Sequence, residues 1–274
     1  MDKFRAAALV ILRNELPHID GLIRHLVLEG LDVVVIDHQS DDGSGEAVRR
    51  WLGRGVLEVH ERPFTGVWRL EDASRWLQEI AQRLDQDWIV HVAADEWPHP
   101  AAPGDRLIDL FRRADTAGAT AVNFEEFAFL PDSPLAPGAD PRERFSSYYF
   151  FAPSPYRLMR ARRRDAGLSG RESAGHVLRG ANLRLHEEQG VLRHYPLLSP
   201  EHLKTKYLAR RYAPEAVARG WHHNRLNLNA EDLTLDGPAV RRLRRWDSRD
   251  FDRTAPVSRH CWEPGELTAS RTCA

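Results

Sequence analysis

The sequence has few cysteines and no long apolar run. Only Cys261 and Cys273 occur in its 274 residues, which leaves neither the spacing of a cysteine metal site nor a disulfide framework. No apolar stretch approaches the roughly 20 residues that a transmembrane helix requires. The apolar run AAALVIL near the N-terminus continues into RNE without a cleavage-like site, so it predicts a core strand rather than a signal peptide. We therefore expect a cytoplasmic protein without an integral membrane segment.

The sequence also lacks a charge excess and a glycine-rich phosphate loop. Its 39 Lys and Arg residues balance 40 Asp and Glu residues, so the net charge gives no argument for a nucleic-acid partner. Neither GxGxxG after the first strand nor GxxxxGKS is present. Their absence counts against a Rossmann dehydrogenase and a P-loop enzyme.

Strand-like and helix-like segments alternate through the first 130 residues. The apolar runs AAALVIL, LDVVVID and DWIVHV are typical of strands buried on both faces, and VLEVHE and TAVNFEEFAF also predict strands. Helical spacing of apolar residues predicts helices over residues 17–29, 44–51, 68–84 and 105–117. This alternation predicts an α/β fold with a mostly parallel central sheet flanked by helices.

The pattern changes after residue 130. Residues 131–147 are rich in Pro, Ser, Asp and Arg and predict an excursion loop, and VLRHYPL is the clearest later strand. Helices are predicted over residues 201–212 and 237–246, followed by a loose tail. We therefore divide the chain into residues 1–130, which would bind the nucleotide, a smaller acceptor-side region over 131–236, and a C-terminal helix and tail over 237–274.

Three predicted strands end in polar or acidic segments. These segments are Arg13-Asn14-Glu15 after the first strand, DHQSDDGS after the second and AADE after the fourth. Ligands of open α/β sheets bind outside the carboxyl ends of the strands. Because no glycine-rich loop is present, a hard cation such as Mg²⁺ or Mn²⁺, held by Asp95, is the alternative way to bind phosphates.

The order of LRNE, IDHQSDDGS and DWIVHVAADEW resembles glycosyltransferase family 2, whose members have the GT-A fold. Its usual motifs are NE after the first strand, DxxSxDG[ST] after the second and DxD after the fourth. SAGHVL, VLRHYPLLSPEHLKTK and RGWHHN also resemble a bacterial branch of that superfamily, so the resemblance covers roughly residues 5–225. It implies a transferase that moves a hexosyl-type sugar, with inversion, from a nucleoside-diphosphate donor to a small-molecule or glycan acceptor.

The resemblance also implies roles for individual residues. Those expected to bind the nucleotide or its diphosphate are Arg13, Glu15, Asp37, Asp42 and Arg75. Those expected to hold the divalent cation are Asp95, His194 and Glu96. Glu172 and Glu126 are equal candidates for the base that takes the acceptor proton. Ala93 departs from the family pattern because it stands where the first Asp of DxD is usual.

Each candidate also has a purely structural interpretation. Glu15 suits the first turn of a helix, and Asp42 a turn that precedes one. Glu96 suits a solvated turn and His194 a protein core. The basic stretch 160–164 is either a solvated loop or a site for an anion.

Two other functions compete with the transferase. A nucleotidyltransferase shares the α/β architecture, but LRNELPH is not the basic, glycine-rich loop that it normally carries. A non-catalytic nucleotide- or carbohydrate-binding relative is favoured by Ala93. Turnover of the donor with Mn²⁺ would distinguish the two enzyme hypotheses from the non-catalytic relative.

Overall fold

The computed structural model describes residues 4–135, 139–152, 158–173, 175–220, 222, 225–226 and 228–269. The chain forms two compact units, which are described separately. The first comprises Met1–Phe64, Leu70–Phe124 and Tyr156–Leu192, and the second comprises Thr65–Arg69, Glu125–Pro155 and Arg193–Ala274. Cys261 is a buried free thiol, whereas Cys273 lies outside the described residues.

The first unit is a sheet covered by helices. Its strands are β1 (Ala6–Leu12), β2 (Asp32–Asp37), β3 (Val56–Glu61), β4 (Trp88–Ala93), β5 (Glu96–Pro100), β6 (Ala121–Val122) and β9 (Ala161–Arg163). Its helices are α1 (Leu16–Leu28), α2 (Ser44–Arg49), α3 (Leu70–Arg83), α4 (Leu107–Thr116) and a 3₁₀ turn at Arg171–Ser173.

Six of these strands form one sheet in the order β3-β2-β1-β4-β9-β6. Strands β1 to β4 are parallel, and β9 runs antiparallel to β4 and β6. The predicted α/β class with a mostly parallel sheet is therefore confirmed. Strand β1 is entirely apolar and β2 is apolar between its terminal aspartates, as expected for strands that are covered on both faces.

Helix α3 covers one face of this sheet. Its apolar stripe includes Trp76, Leu77 and Ile80, which join Leu9 of β1 and Ile89 of β4 in one core cluster. The opposite face of the helix is charged, as the period of 3.6 residues requires. α3 links the carboxyl end of β3 to the amino end of β4, so its first turn lies at the edge where the parallel strands end.

The second unit is smaller and contains shorter elements. Its elements are β7 (Phe124–Phe129), α5 (Pro141–Arg144), β8 (Ser147–Phe151), β10 (Gly190–His194), α6 (Pro200–Leu203), a π-helix (Lys204–Leu208), α7 (Pro214–Ala218), a 3₁₀ turn (Ala230–Asp232) and β11 (Arg241–Arg242). Strands β7 and β10 each begin in the first unit and end in the second. β8 pairs antiparallel with both β7 and β11.

The two later helix predictions need correction. The helix expected over 201–212 starts at Pro200 behind the N-cap Ser199, and the helical segment ends at Leu208. It stops because the backbone of Arg211 and Ala213 pairs with Trp68. No helix forms over 237–246, because Leu243 donates to the Ser146 carbonyl and β11 pairs with β8. In the described part of the chain, no helix has the length and apolar composition to cross a membrane.

Candidate functional site

The polar segments after β1 and β2 meet at the carboxyl edge of the sheet. Leu12 and Asp37 are in register at the ends of the two strands. Arg13 bridges the segments, since its guanidinium donates to the carbonyls of His38 and Gln39 and to the Asp41 carboxylate at 3.2 Å. The same guanidinium lies 3.7 Å from the centre of the Phe64 ring. These contacts bring the segments after β1 and β2 together at one edge of the sheet.

Two residues of these segments have backbone angles that side chains rarely adopt. Asn14 has φ of 56° and Gln39 has φ of 55°. Asn14 is held there by a reciprocal pair of bonds with Asp41, of 2.8 and 3.0 Å. Gln39 accepts from the Phe64 backbone at 2.8 Å. Conformations of this kind cost about 1–3 kcal/mol and cluster at functional sites. The presence of two of them here is consistent with a binding site at the carboxyl edge of the sheet.

The two predicted aspartates of the second segment differ in their contacts. Asp37 is buried and accepts from the Ser40 amide at 2.9 Å through Oδ1. Asp42 accepts from the Leu16 amide at 3.1 Å and from the Ser44 amide at 2.9 Å, so its carboxylate positions the start of α1 and α2. Glu15, from the segment after β1, is buried and donates its backbone amide to the Ser44 hydroxyl at 2.9 Å.

Arg75 lies on the exposed face of α3. Its guanidinium donates to Asp72 at 2.8 Å and lies 3.8 Å from Glu79 on the same helix. These are ordinary contacts between neighbours one helical turn apart. The contacts that the structure shows for Arg75 are with its neighbours on α3, and none of them holds it in position for a diphosphate.

Asp95 and Glu96, the two acids after β4, are both buried. Glu96 accepts from the Arg160 guanidinium at 2.5 Å, and both side chains are less than 10% exposed. The solvated-turn interpretation of Glu96 is therefore wrong, as is the solvated-loop interpretation of Arg160. Asp95 lies in the short turn between β4 and β5, and its role as a metal ligand stays a prediction.

In the second unit, Glu126 and His194 form a buried pair. His194 Nδ1 lies 2.6 Å from Glu126 Oε1. The neighbouring Glu125 points to the other face of β7 and pairs with Arg253 at 2.7 Å, as the alternation of a strand requires. From the sequence, Glu126 was predicted to be a base and His194 a metal ligand, whereas the structure places the two side chains in direct contact.

A cavity of about 50 Å³ lies on the α3 face of the first unit. Its charged lining consists of Arg160, Arg162 and Arg171, and His91 of β4 also lines it. Glu172 belongs to the adjoining 3₁₀ turn, and its side chain lies outside the described part of the structure. None of the predicted nucleotide-binding residues lines this cavity, so it is separate from the edge that carries Arg13 and Asp37.

The burial of His91 makes the free energy of unfolding depend on pH. Burial, together with the nearby charges of Arg160 and Arg162, lowers the pKa of His91 to about 3. The unfolded chain binds this proton near pH 6.5, so the folded state loses stability as the pH falls from 6.5 towards 3.

We expect His91→Gln to remove this contribution. The slope of unfolding free energy against pH between 6.5 and 4 should fall by up to about 1.4 kcal/mol per pH unit relative to wild type. Urea denaturation at a series of pH values measures the two slopes. Equal slopes would mean that His91 has the same pKa in the folded and unfolded states.

A histidine-rich group in the first unit can hold a metal. The ligand atoms of His25, Glu29 and His99 all lie within 4.8 Å of one another, and all three residues are buried. This group does not include the predicted ligands Asp95, Glu96 and His194. The sequence offered a weak signal for it, the spacing of four residues between His25 and Glu29 on one helix, but nothing that linked them to His99.

The sequence prediction also missed three residues at the sheet edge. Phe64 stacks under Arg13, Gln39 fixes the Phe64 backbone, and Asp41 links both polar segments. Asp41 and Gln39 lie within the quoted DHQSDDGS segment. Phe64 follows β3 and carries no motif that identifies it.

No protein-family model and no curated protein sequence matches the chain. Among solved structures, it is similar to S. aureus TarS, a GT-A-type glycosyltransferase, with 11% identity and a TM-score of 0.44 over 75% of this chain and 39% of that chain. It is similar to TarS 1-349 in complex with UDP, with 9% identity and a TM-score of 0.45 over 75% of this chain and 65% of that chain. The chain thus spans less than two thirds of either TarS chain. Similarity at this level carries no argument about substrate or catalytic residues.

Proposed function

We propose that the protein is a metal-dependent, inverting glycosyltransferase that uses a nucleoside-diphosphate sugar and a hydroxyl acceptor. The observation that carries this proposal is the joined pair of polar segments after β1 and β2, which Arg13 and Asp41 hold together. A nucleotide at this edge would meet Phe64 and Asp37 without needing a glycine-rich loop. The transferred sugar is proposed to be a hexosyl group.

Asp95 is the proposed ligand of the divalent cation. Mg²⁺ and Mn²⁺ take oxygen ligands, and Mg²⁺ often uses only one or two carboxylates together with phosphates and water. Asp95 supplies one such carboxylate, and Ala93 supplies none. The residues therefore fit a cation that takes its other ligands from the diphosphate. When bound, the cation neutralises charge on the leaving diphosphate.

The pairing of Glu126 with His194 supports a division of roles between the two candidate bases. A carboxylate that contacts one ring nitrogen of a histidine fixes its tautomer and orients the other nitrogen. We therefore assign Glu126 a role in orienting the His194 ring rather than in taking the acceptor proton. Glu172 is then the proposed base that takes the proton of the acceptor hydroxyl.

A non-catalytic nucleotide-binding relative is the second candidate, and Ala93 is the observation that favours it. The two candidates differ in turnover. With Mn²⁺ or Mg²⁺ and a panel of nucleoside-diphosphate sugars, the transferase should release the nucleoside diphosphate from one donor, and the release should stop with EDTA. Binding of a nucleotide without release from any donor, with and without candidate glycan acceptors, would favour the non-catalytic relative.

The substitution Gly45→Ala tests whether Asp37 contributes to the nucleotide site. A Cβ atom at this position would lie 2.5 Å from Asp37 Oδ2, so the carboxylate must move. We expect nucleotide affinity to fall by about tenfold, the equivalent of about 1.4 kcal/mol, while alanine supports helix α2. Calorimetric titration measures the affinity.

Gly53→Ala is the matched control for this substitution. A Cβ atom there meets no other atom within 4 Å, although φ is +73°, so the variant loses stability without displacing Asp37. Unchanged affinity in Gly45→Ala would remove Asp37 from the proposed site.

A further inference from the structure

We propose that His25, Glu29 and His99 form a zinc site that is separate from the proposed donor site. The three residues lie in the first unit, two on α1 and one on β5. This inference is independent of the proposed function, because it concerns a different metal and different residues, on α1 and β5.

The spacing of the ligand atoms is close to that of a tetrahedral zinc site. His25 Nδ1 lies 3.9 Å and His99 Nδ1 3.7 Å from Glu29 Oε1. Zinc bonds to nitrogen and oxygen of about 2.0–2.2 Å place tetrahedral ligand atoms roughly 3.3–3.5 Å apart. Shifts of a few tenths of an ångström would therefore bring each histidine nitrogen to this distance from Glu29 Oε1, and all three ligand atoms already lie within 4.8 Å of one another.

The hydrogen bond of His25 determines which of its nitrogens faces Glu29 as an acceptor. Its Nε2 lies 2.7 Å from the Pro98 carbonyl oxygen, which can only accept, so Nε2 carries a hydrogen. In a neutral ring, Nδ1 then presents a lone pair towards the Glu29 carboxylate. Two electron-rich atoms that face each other in a buried site require a positive charge between them, either a metal ion or a proton on Nδ1.

The surrounding contacts are those of a prepared metal site. A metal-binding histidine usually donates its other N–H to a carbonyl or carboxylate, as His25 does to Pro98. Glu29 Oε2 accepts from the Leu107 amide at 2.7 Å, which leaves Oε1 directed at the two rings. These contacts orient two of the three ligands before any ion binds.

The approach of β5 to α1 places the third ligand. A Cβ atom at Gly21 would lie 2.8 Å from the Trp97 ring, so glycine allows the strand to lie close against the helix. His99 follows Trp97 by two residues on β5, and the rings of His25 and His99 are 4.4 Å apart. The ion would thus link α1, β5 and, through Glu29, the start of α4.

The site lies away from the edge where the nucleotide is proposed to bind. Helix α1 starts at that edge with Leu16, and His25 is nine residues further along, which corresponds to about 14 Å at 1.5 Å per residue. Two imidazoles and a carboxylate also suit zinc, whereas Mg²⁺ prefers oxygen ligands alone. We therefore assign this site a role in stability rather than in turnover.

Metal analysis of the full chain, purified without a histidine tag and dialysed after exposure to Zn²⁺, tests the proposal. We expect one zinc per chain, and a melting temperature that falls when a strong chelator removes it. Tetrahedral Co²⁺ in place of zinc should give visible absorption bands. Glu29→Gln and His99→Ala should each lower the zinc content at least tenfold.

His60→Ala is the matched control, because His60 pairs with Glu58 at 2.7 Å but has no third ligand in the described chain. It should keep one zinc per chain. Glu29→Gln keeps an acceptor for the Leu107 amide, so it is expected to fold even if His99→Ala does not. A wild-type chain with no bound zinc and no response to chelator would overturn the proposal and leave a protonated His25 paired with Glu29.

Discussion

Asp95→Asn should reduce metal-dependent turnover of the donor by at least about 100-fold, because a bound cation contributes several kcal/mol to charge stabilisation. Asn has nearly the same shape as Asp but is a much weaker ligand for a hard cation. Since Asp95 lies in the short turn between β4 and β5, its substitution should leave the sheet intact. Steady-state kinetics at several Mn²⁺ concentrations measure the effect, which excess metal should partly reverse.

Asp85→Asn is the matched control for this prediction. Asp85 is exposed and lies before β4, at the opposite end of the strand from Asp95. The control should retain wild-type kinetics at all metal concentrations. If Asp95→Asn also retained wild-type activity and metal dependence, Asp95 would not be a metal ligand.

Glu96→Gln should destabilise the protein by about 3–5 kcal/mol, because it leaves the Arg160 guanidinium buried without its carboxylate. The two side chains are 9% and 4% exposed and 2.5 Å apart. The pair joins the start of β5 to the segment that leads into β9, so its loss affects the first unit directly. Urea denaturation at neutral pH measures the change in the free energy of unfolding.

Two further variants identify the origin of this effect. The double variant Glu96→Leu with Arg160→Met should be less destabilised than Glu96→Gln, because it removes both charges and fills the space with apolar groups. Glu61→Gln should cost only about 0–1 kcal/mol, since the Arg49–Glu61 pair is exposed. A cost for Glu96→Gln as small as that of Glu61→Gln would show that water reaches the Arg160 guanidinium.

The regular part of the fold followed from local patterns in the sequence. Apolar runs such as AAALVIL and LDVVVID identified β1 and β2, and a period of 3.6 residues identified α1 and α3. These signals are strong because a buried strand or an amphipathic helix imposes them on consecutive residues. The segment over 237–246 gave a helical signal, yet its backbone groups pair with β8 instead.

The candidate site was only partly predictable, because several of its contacts join residues that are far apart in the sequence. The strand ends identified Arg13, Asp37 and Asp95, because parallel strands bring their carboxyl ends to one edge. The partners of Glu96 and Glu126 are 64 and 68 residues away in sequence. Pairs of this kind are set by tertiary packing, which leaves no periodic trace along the chain.

A thermal-shift titration with nucleoside diphosphates, with and without Mn²⁺, tests the central proposal most directly. A ligand at 100 times its dissociation constant adds about 2.7 kcal/mol to the free energy of unfolding, which should raise the melting temperature by roughly 5 °C or more. The proposed function predicts this rise with one base, and only with the metal, in wild type but not in Asp95→Asn. No rise with any base, with or without metal, would contradict a nucleotide-sugar site at the edge of β1 and β2.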